Sequence, residues 1–331
     1  MSKRERVYKA LQLKTPDRVP GAELVIDDEL ISEMTGKENI DYQDHIVFRE
    51  WLGIDAVCVA PVRQEESLKD MAPGAGTSRE DGLDEAVDRY LEGEYDCTPL
   101  ENYRRESDLF VFALLNGSLG ELSRAIGFEN LMVSLARDPE GVKRQLHKLG
   151  EKNIGVAKEA AARGAEAVII GDDIAYRQGP FISPEIMRRV IFPAWEGETK
   201  AMKNMGLPVV LHTEGYLNPL LPDLVGLFDG LHSLEPASGM SLTEVKEKYG
   251  DRLCLMGNVD LTILNSGEAE AEEAEEAEEL EKLRRVVKET IQAGAPGGGY
   301  IFGTTGGLHA GLSLKKVQAM YRFAREYGKG W

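Results

Sequence analysis

Short apolar runs alternate with longer segments of helical periodicity along almost the whole chain. Eight runs have the length and apolar content of buried strands: Val19–Val25, Asp55–Ala60, Leu109–Leu115, Ala167–Gly171, Pro208–Leu211, Gly230–Leu234, Arg252–Met256 and Tyr300–Gly303. Most of the intervening segments have the period of a helix, as in Asp138–Arg163, Ser183–Met205 and Leu242–Tyr249. Strands that alternate with helices indicate an α/β fold with a parallel sheet.

Eight such strands predict a (β/α)8 TIM barrel, and a doubly wound open sheet is the alternative. We expect a single domain over residues 1–331, with an N-terminal helical extension over Lys3–Leu13. The Gly-rich, acidic stretch Gln64–Glu106 is expected to form an insertion over one rim. Gly267–Ile291 is rich in strong helix formers and predicts an exposed helix. No G-x-G-x-x-G follows the first strand and no G-x-x-x-x-G-K-[ST] occurs, so the usual phosphate-binding loops are missing.

Charge and composition narrow the classes of partner. The chain has 39 Lys and Arg against 57 Asp and Glu, a formal charge of −18. This charge argues against nucleic acid or an anionic membrane surface as the main partner. No long uncharged apolar run predicts a membrane span, and the charged N-terminus lacks the apolar core of a secretion signal. Three distant cysteines without C-x-x-C spacing (Cys58, Cys97 and Cys254) are typical of reduced thiols, so we expect a cytoplasmic protein.

Polar residues follow the predicted strands at their C-terminal ends, where the active sites of barrels of this class lie. They are Asn116, Asp172, Asp173, His212, Glu214, Glu235, Asn258, Asp260, Thr304, Thr305 and His309. No comparable set precedes the strands. The asymmetry predicts an active site at the C-terminal face of the barrel.

His212 and Glu214 lie two positions apart at the end of the fifth strand, so their side chains share one face. Together with His309 they would supply three ligands of the kind that catalytic zinc accepts. Glu235 is expected to be a fourth, labile ligand or a group beside the metal. The alternative is that His212 and Glu214 only form hydrogen bonds across the barrel mouth. We interpret the other histidines as structural: His45, His147 and His232.

Asp172 and Asp173 are candidates for acid–base chemistry or for substrate contact. Because adjacent strand residues point in opposite directions, we expect only one of them to enter the site, unless the pair caps the following turn. Asn116 and Asn258 are candidate substrate contacts, although Asn258 is equally suited to stabilising the turn before Asp260. Several large side chains near the strand ends would either line an aromatic-sized pocket or belong to the core: Tyr176, Phe181, Trp195, Tyr216 and Met256.

Four stretches of the sequence resemble the uroporphyrinogen decarboxylase superfamily. They read "RERVYKALQLKTPDRVP", "PVVLHTEGYLNPLLPDLVGLFDGLHSLEP", "MSLTEVKEKYGDRLCLMGNVD" and "GAPGGGYIFGTTGGLHAG". The similarity covers nearly the whole chain and is densest from Ala167 to Gly311. Members of that superfamily are TIM barrels, which agrees with the fold predicted from the strand pattern.

The resemblance implies one of two activities. Decarboxylases of the superfamily remove carboxyl groups from the acetate arms of uroporphyrinogen without a cofactor, and they clamp the substrate with an Arg-rich "RQAGRY" stretch. The matching region here reads "ELVIDDELI", which has no arginine and whose charge would repel an octa-anionic porphyrinogen. The other activity is zinc-dependent methyl transfer with a corrinoid protein.

The methyltransferases resemble this chain in having H-x-C after strand five, a carboxylate after strand six and a third ligand after strand eight. His212 matches the histidine, Glu214 occupies the cysteine position, Glu235 matches the carboxylate and His309 lies near the third ligand. Harder donors in place of thiolates favour an oxygen-bearing substrate. The resemblance thus implies an O-demethylase methyltransferase that transfers a methyl group from a methoxylated aromatic to the cob(I)alamin of a corrinoid protein. Its Zn2+ would be bound by His212, Glu214 and His309, with Glu235 and Asp172 or Asp173 as catalytic groups.

Three other functions stay open. The first is metal-free decarboxylation, and the second is methyl transfer from a methylcorrinoid to a thiol. The third is a non-catalytic module that binds a corrinoid protein or a ligand. A homodimer is an open possibility for the assembly.

Overall fold

The computed structural model describes residues 1–63, 83–266 and 273–331, in which strands and helices alternate. The strands are β1 (Ala56–Val59), β2 (Val62–Arg63), β3 (Tyr95–Asp96), β4 (Phe110–Asn116), β5 (Ala167–Gly171), β6 (Ala175–Tyr176), β7 (Gly179–Pro180), β8 (Val209–Thr213), β9 (Gly230–Ser233), β10 (Cys254–Val259) and β11 (Tyr300–Thr304).

The helices surround these strands. They are α1 (Lys3–Leu11), α2 (Asp28–Thr35), α3 (Tyr42–Leu52), α4 (Leu83–Leu91), α5 (Thr98–Glu106), α6 (Ser118–Ile126), α7 (Phe128–Arg137), α8 (Pro139–Ala162), α9 (Pro184–Ile186), α10 (Phe192–Asn204), α11 (Leu221–Leu227), α12 (Leu242–Tyr249), α13 (Glu273–Gly294) and α14 (Leu314–Tyr327). A wider π-helical turn, Met187–Ile191, joins α9 to α10. The predicted helices over 3–13, 138–163, 183–205 and 242–249 all form, with ends that differ by a few residues.

Seven strands form one parallel sheet in the order β1-β4-β5-β8-β9-β10-β11. Every neighbouring pair in this sheet is parallel. The mixed α/β class and the parallel sheet are therefore confirmed, and the fold is TIM-barrel-like. Two short antiparallel pairs, β2–β3 and β6–β7, stand outside the sheet.

The predicted first strand, Val19–Val25, is not a regular strand, so within the described ranges the parallel sheet contains seven of the eight predicted strands. The segment makes isolated bridges instead: Gly21 to Phe302 and Ile26 to Leu308. Pro20 has no N–H to donate. The N–H of Thr304, at the end of β11, is donated to the Glu23 carboxylate at 3.2 Å rather than to a strand carbonyl. The missing N–H of Pro20 and the side-chain partner of the Thr304 N–H interrupt the backbone hydrogen-bond ladder between this segment and β11.

The predicted rim insertion, residues 64–106, is described only in part. Residues 64–82 lie outside the described residues, and the rest contains α4, β3 and α5. The acidic helix expected over 267–291 is present as α13, while its first residues, 267–272, lie outside the described ranges. Within those ranges, no helix is both long and apolar enough to cross a membrane.

The hydrophobic core consists of two clusters on opposite sides of the sheet. The inner one includes Phe110, Phe112, Ile169, Val210 and Met256 from the strands, together with Val7, Ala10 and Leu11 from α1. The N-terminal helix therefore supplies apolar side chains to the cluster on the inner face of the sheet. A larger cluster fills the layer between the strands and the surrounding helices.

The buried carboxylate of Asp55 holds α1 and the segment after it against the sheet. Arg6 donates to it at 2.6 Å, and Arg18 donates twice at 2.8 Å. The backbone N–H of Gly21 donates at 2.9 Å. Asp55 is completely buried, so these charge-assisted hydrogen bonds form out of contact with water.

We expect Asp55→Asn to lower the free energy of unfolding by about 3–5 kcal/mol, because Arg18 would lose its carboxylate partner and Arg6 would keep only that of Asp17. Urea unfolding followed by circular dichroism measures this change. The matched control is Asp108→Asn, which removes an exposed ion pair with Lys3 and should cost less than about 1 kcal/mol. Equal losses in the two variants would contradict the role assigned to Asp55.

Candidate active site

The C-terminal ends of β5, β8 and β9 bring the main candidate residues together. Gly171 pairs with His212, and His212 pairs with His232. The residues that follow these strands, Asp173, Glu214 and Glu235, line one cleft. The parallel sheet thus places at one edge the polar groups that the sequence predicts there.

Two concave sites lie side by side at this edge. The first, here called the apolar cavity, has a volume of about 350 Å³. Its apolar lining is Leu119, Phe128, Leu131, Met132, Phe181 and Ile182, and its polar side chains are Ser123, Arg124, Asp172 and Asp173. The second, here called the acidic cleft, has a volume of about 320 Å³ and is lined by Asp173, Ala175, Tyr176, Arg177, Phe181, Glu214, Gly215, Glu235 and Ser238. Asp173 and Phe181 line both sites, so the two sites adjoin.

The acidic cleft combines three carboxylates with a single basic side chain, Arg177, in its lining. Burial raises the pKa of Glu214, and the negative charges of Asp173 and Glu235 raise it further. Asp173 accepts a hydrogen bond from the backbone N–H of Glu214 at 3.3 Å, and Glu235 accepts one from the Ser238 hydroxyl. The surroundings of Glu214 therefore favour the protonated form of its carboxyl group.

A short hairpin, β6–β7, forms the aromatic wall between the two sites. The rings of Tyr176 and Phe181 stack with centroids 5.6 Å apart, and Phe128 meets Phe181 edge to face at 5.8 Å. All three rings are exposed, by 40% or more. Gly215 lets the chain after Glu214 pass close to this hairpin, because a Cβ there would lie 2.6 Å from the Ala175 carbonyl carbon. Tyr176 lines the acidic cleft, and Phe181 lines both sites.

Asp172 and Asp173 have different surroundings. Asp172 is buried and accepts hydrogen bonds from the backbone N–H groups of Leu119 at 3.0 Å and Gly120 at 2.6 Å, at the start of α6. Burial raises its pKa well above the ordinary value, against the effect of these two hydrogen bonds. Asp172 borders the apolar cavity, but its oxygens are used to cap α6. Asp173 is the carboxylate that reaches the acidic cleft.

His212 faces a second histidine that sequence reasoning treats as structural. The Nδ1 atoms of His212 and His232 are 2.8 Å apart, and His232 is completely buried. Burial lowers the pKa of both imidazoles, and Asp173 opposes this effect at His212. The predicted strand ends do not align the pair, because His212 follows Leu211 whereas His232 precedes Leu234. The register of β8 and β9 brings the two histidines together.

His309 does not join His212 and Glu214. It is exposed, and its Nδ1 lies 2.7 Å from the carbonyl oxygen of Ala310. Its neighbour Leu308 is buried and bridges to Ile26, so the next side chain along this extended segment points outward. Over residues 1–63, 83–266 and 273–331, no three His, Cys, Asp or Glu side chains are positioned to hold a metal ion. The predicted zinc triad is therefore not assembled in the structure.

The remaining predicted contacts lie in different surroundings. Met256 is buried in the inner core and does not line either site. Asn258 is buried, and its side chain donates to the Leu234 carbonyl at 2.9 Å, so its amide links the end of β10 to the segment after β9. Asn116 is exposed at the end of β4, and its carbonyl accepts from Asn153. Tyr216 is half-buried, and its backbone N–H donates to Tyr176 at 3.0 Å.

A protein-family model described as uroporphyrinogen decarboxylase (URO-D) matches residues 97–327. A curated protein of that name from Thioalkalivibrio sulfidiphilus is 25% identical over 223 residues, which are 64% of this chain and 54% of that protein. Another, from Actinobacillus succinogenes, is 21% identical over 211 residues, 62% of this chain and 53% of that protein. The chain thus spans about half the length of these curated relatives.

Solved structures support the fold. A methyltransferase from Methanosarcina mazei superposes with a TM-score of 0.74 at 18% identity, covering 99% of both chains. A B12-independent methionine synthase from Shewanella sp. W3-18-1 superposes with a TM-score of 0.53 at 13% identity, covering 94% of each chain. At such identities the likeness concerns the fold alone. The family model, by contrast, matches more than half of the sequence, and the chain therefore belongs to the uroporphyrinogen decarboxylase (URO-D) family.

Proposed function

We propose that this protein is a methyltransferase of the URO-D family. It transfers a methyl group from a small methoxylated aromatic compound to the cob(I)alamin of a partner corrinoid protein. The observation that carries the proposal is the apolar cavity beside the acidic cleft, with Asp173 and Phe181 lining both. An aromatic ring suits the cavity, and an ether oxygen that needs a proton suits the carboxyl groups next to it.

The charge of the site argues against decarboxylation of uroporphyrinogen. Over the two adjoining sites, four carboxylates face two arginines, Arg124 and Arg177, and a substrate with eight carboxylates would be repelled there. The apolar cavity is also small. Its volume of about 350 Å³ lies near the lower end of the range of about 300–1,000 Å³ that is usual for ligand sites. A single substituted benzene ring fits these dimensions better than a tetrapyrrole.

The proposed reaction requires the ether oxygen to become the leaving group. The bond between this oxygen and the methyl carbon breaks, the electron pair stays on the oxygen, and the corrinoid accepts the methyl group. The aryl oxide is a poor leaving group until it takes up a proton. Glu214, whose pKa is raised by burial and by two neighbouring carboxylates, is the proposed proton donor. Asp173 and Glu235 would maintain that raised pKa.

Zinc stays a prediction, and the mechanism above uses no metal. The ligand set predicted from the sequence contains His309, which lies apart from His212 and Glu214. His212 and Glu214 remain the pair of donors at the end of β8. Binding of a corrinoid protein is likewise a proposal, and the exposed rings of Phe128, Tyr176 and Phe181 offer it a contact surface at the rim.

We expect the purified protein to transfer methyl groups from at least one of a panel of methoxybenzenes to cob(I)alamin, with formation of the corresponding phenol. Loss of the cob(I)alamin absorbance and chromatography of the phenol measure the reaction. Two control reactions test the alternatives: release of CO2 from uroporphyrinogen, and methylation of a thiol by methylcobalamin. Turnover in either control and none with the panel would overturn the proposal.

We expect Glu214→Gln to lower kcat by about 100-fold or more, because the amide has no proton to give to the leaving oxygen. In the wild type, kcat should fall as the pH rises through the raised pKa of Glu214, since the carboxyl is active while protonated. This decline should be missing from the variant. Glu247→Gln, an exposed change on α12, is the matched control. An unchanged pH profile in Glu214→Gln would exclude Glu214 as the acid.

Metal analysis of the wild type and three alanine variants tests the zinc prediction, which is an alternative to the acid role of Glu214 because a carboxylate bound to zinc carries no proton. Any zinc that co-purifies should be lost in His212→Ala and Glu214→Ala and retained in His309→Ala, because His309 is not grouped with the other two. Loss in all three variants would restore the predicted triad. Stoichiometric zinc in all three would remove these residues from the ligand set, and a metal-free, active wild type would remove zinc from the function.

A further inference from the structure

The chain leaves β9 through two residues in the left-handed backbone conformation. Ser233 has a φ of 90° and Leu234 a φ of 51°, and neither is a glycine. Residues that carry a Cβ seldom adopt this conformation, and it persists only where the surrounding structure holds it. Glu235, which lines the acidic cleft, is the next residue. The left-handed turn Ser233–Leu234 therefore sets the direction from which Glu235 enters the cleft.

Two residues of the neighbouring strand β10 hold this turn. Asn258 is buried, and its side-chain amide donates to the carbonyl oxygen of Leu234 at 2.9 Å. Gly257 lies opposite Ser233 in the register, and a Cβ there would lie 2.8 Å from the Ser233 carbonyl oxygen. A side chain at position 257 would push the turn away, whereas glycine lets it approach. The turn is thereby fixed by a close backbone contact and by a side-chain hydrogen bond.

The residues on either side of the turn lie in opposite surroundings. Leu234 is completely buried in the larger core cluster, whereas Glu235 is half-buried. After Glu235 the chain forms a short 3-10 helix, Pro236–Ser238, in which the Glu235 carbonyl accepts from the N–H of Ser238 at 3.1 Å. The Ser238 hydroxyl donates to the Glu235 carboxylate. Glu235 is therefore held on its C-terminal side by Ser238 and on its N-terminal side by the left-handed turn.

We infer that Asn258 is a positioning residue, whose amide holds the left-handed turn at Leu234 and so places the Glu235 carboxylate in the acidic cleft. Without that hydrogen bond the turn is free to relax to a negative φ, which residues with a Cβ prefer. The relaxed backbone would rotate the following peptide and move Glu235 away from the cleft. The effect on turnover rests on the proposed methyl transfer, whereas the placement of Glu235 does not.

Crystal structures of the wild type and of Asn258→Leu, both without substrate, test the placement. Leucine has nearly the shape of asparagine but no N–H to donate. We expect the variant to lose the left-handed φ at Leu234 and the Glu235 carboxylate to leave the acidic cleft. Asn258→Ala, which removes the amide without adding bulk, is the second variant should leucine prevent folding. An unchanged Glu235 in either variant would overturn the inference.

Thermal unfolding of Ser233→Gly tests the turn in an otherwise unchanged protein. Glycine adopts a positive φ freely, and the buried Ser233 hydroxyl makes no hydrogen bond within the described residues that could be lost. We expect the midpoint of unfolding to rise by about 1–3 °C. The same substitution in a helix, Ser134→Gly in α7, should lower the midpoint, because glycine is disfavoured there. A lower midpoint in both variants would contradict a strained turn at Ser233.

A double-mutant cycle on kcat, with an active methoxybenzene, separates positioning from general damage. We expect Asn258→Leu and Glu235→Gln each to lower kcat by about 10-fold, and the double variant to be no slower than Glu235→Gln alone. Losses that multiply to about 100-fold would show that Asn258 acts independently of Glu235, and the positioning role would fall. If no methoxybenzene is turned over while Glu235 moves in the crystal structures, the proposed function falls and the positioning role stands.

Discussion

The Asp55 carboxylate is the interaction on which the arrangement of the sheet depends. It binds Arg6 on α1, Arg18 after that helix and the backbone of Gly21, and so joins the N-terminal segment to the start of β1. With α1 held in this way, its apolar residues pack in the cluster on the inner face of the sheet. The opposite, C-terminal ends of the strands then remain available for the apolar cavity and the acidic cleft.

The parallel direction of all seven strands has a direct chemical consequence. Polar residues that follow different strands meet at one edge, and three carboxylates collect in a partly enclosed cleft. Like charges at short range in a partly desolvated site disfavour ionisation. The raised pKa of Glu214 is thus a property of the neighbourhood rather than of the residue.

Family membership and the proposed reaction rest on different observations. Membership of the URO-D family follows from the sequence match over residues 97–327, but the family as the resemblance describes it contains more than one chemistry. The proposal of methyl transfer rests on the acidic lining of the cleft and on the small apolar cavity, because a polycarboxylate and a methoxylated ring differ in charge and in size. The proposed methyl transfer therefore depends on the lining of the site more than on the fold.

The alternation of apolar runs and helical segments was sufficient to predict the α/β class, seven of the strands and the edge where polar residues meet. The reason is that periodicity and strand direction are local properties of the chain. Only the tertiary structure decided that Val19–Val25 forms isolated bridges, that Asp172 caps α6 and that Met256 belongs to the core. It also separated His309 from His212 and paired His212 with His232. These outcomes depend on register and on which side chain of a loop turns inward, and packing between distant segments determines both.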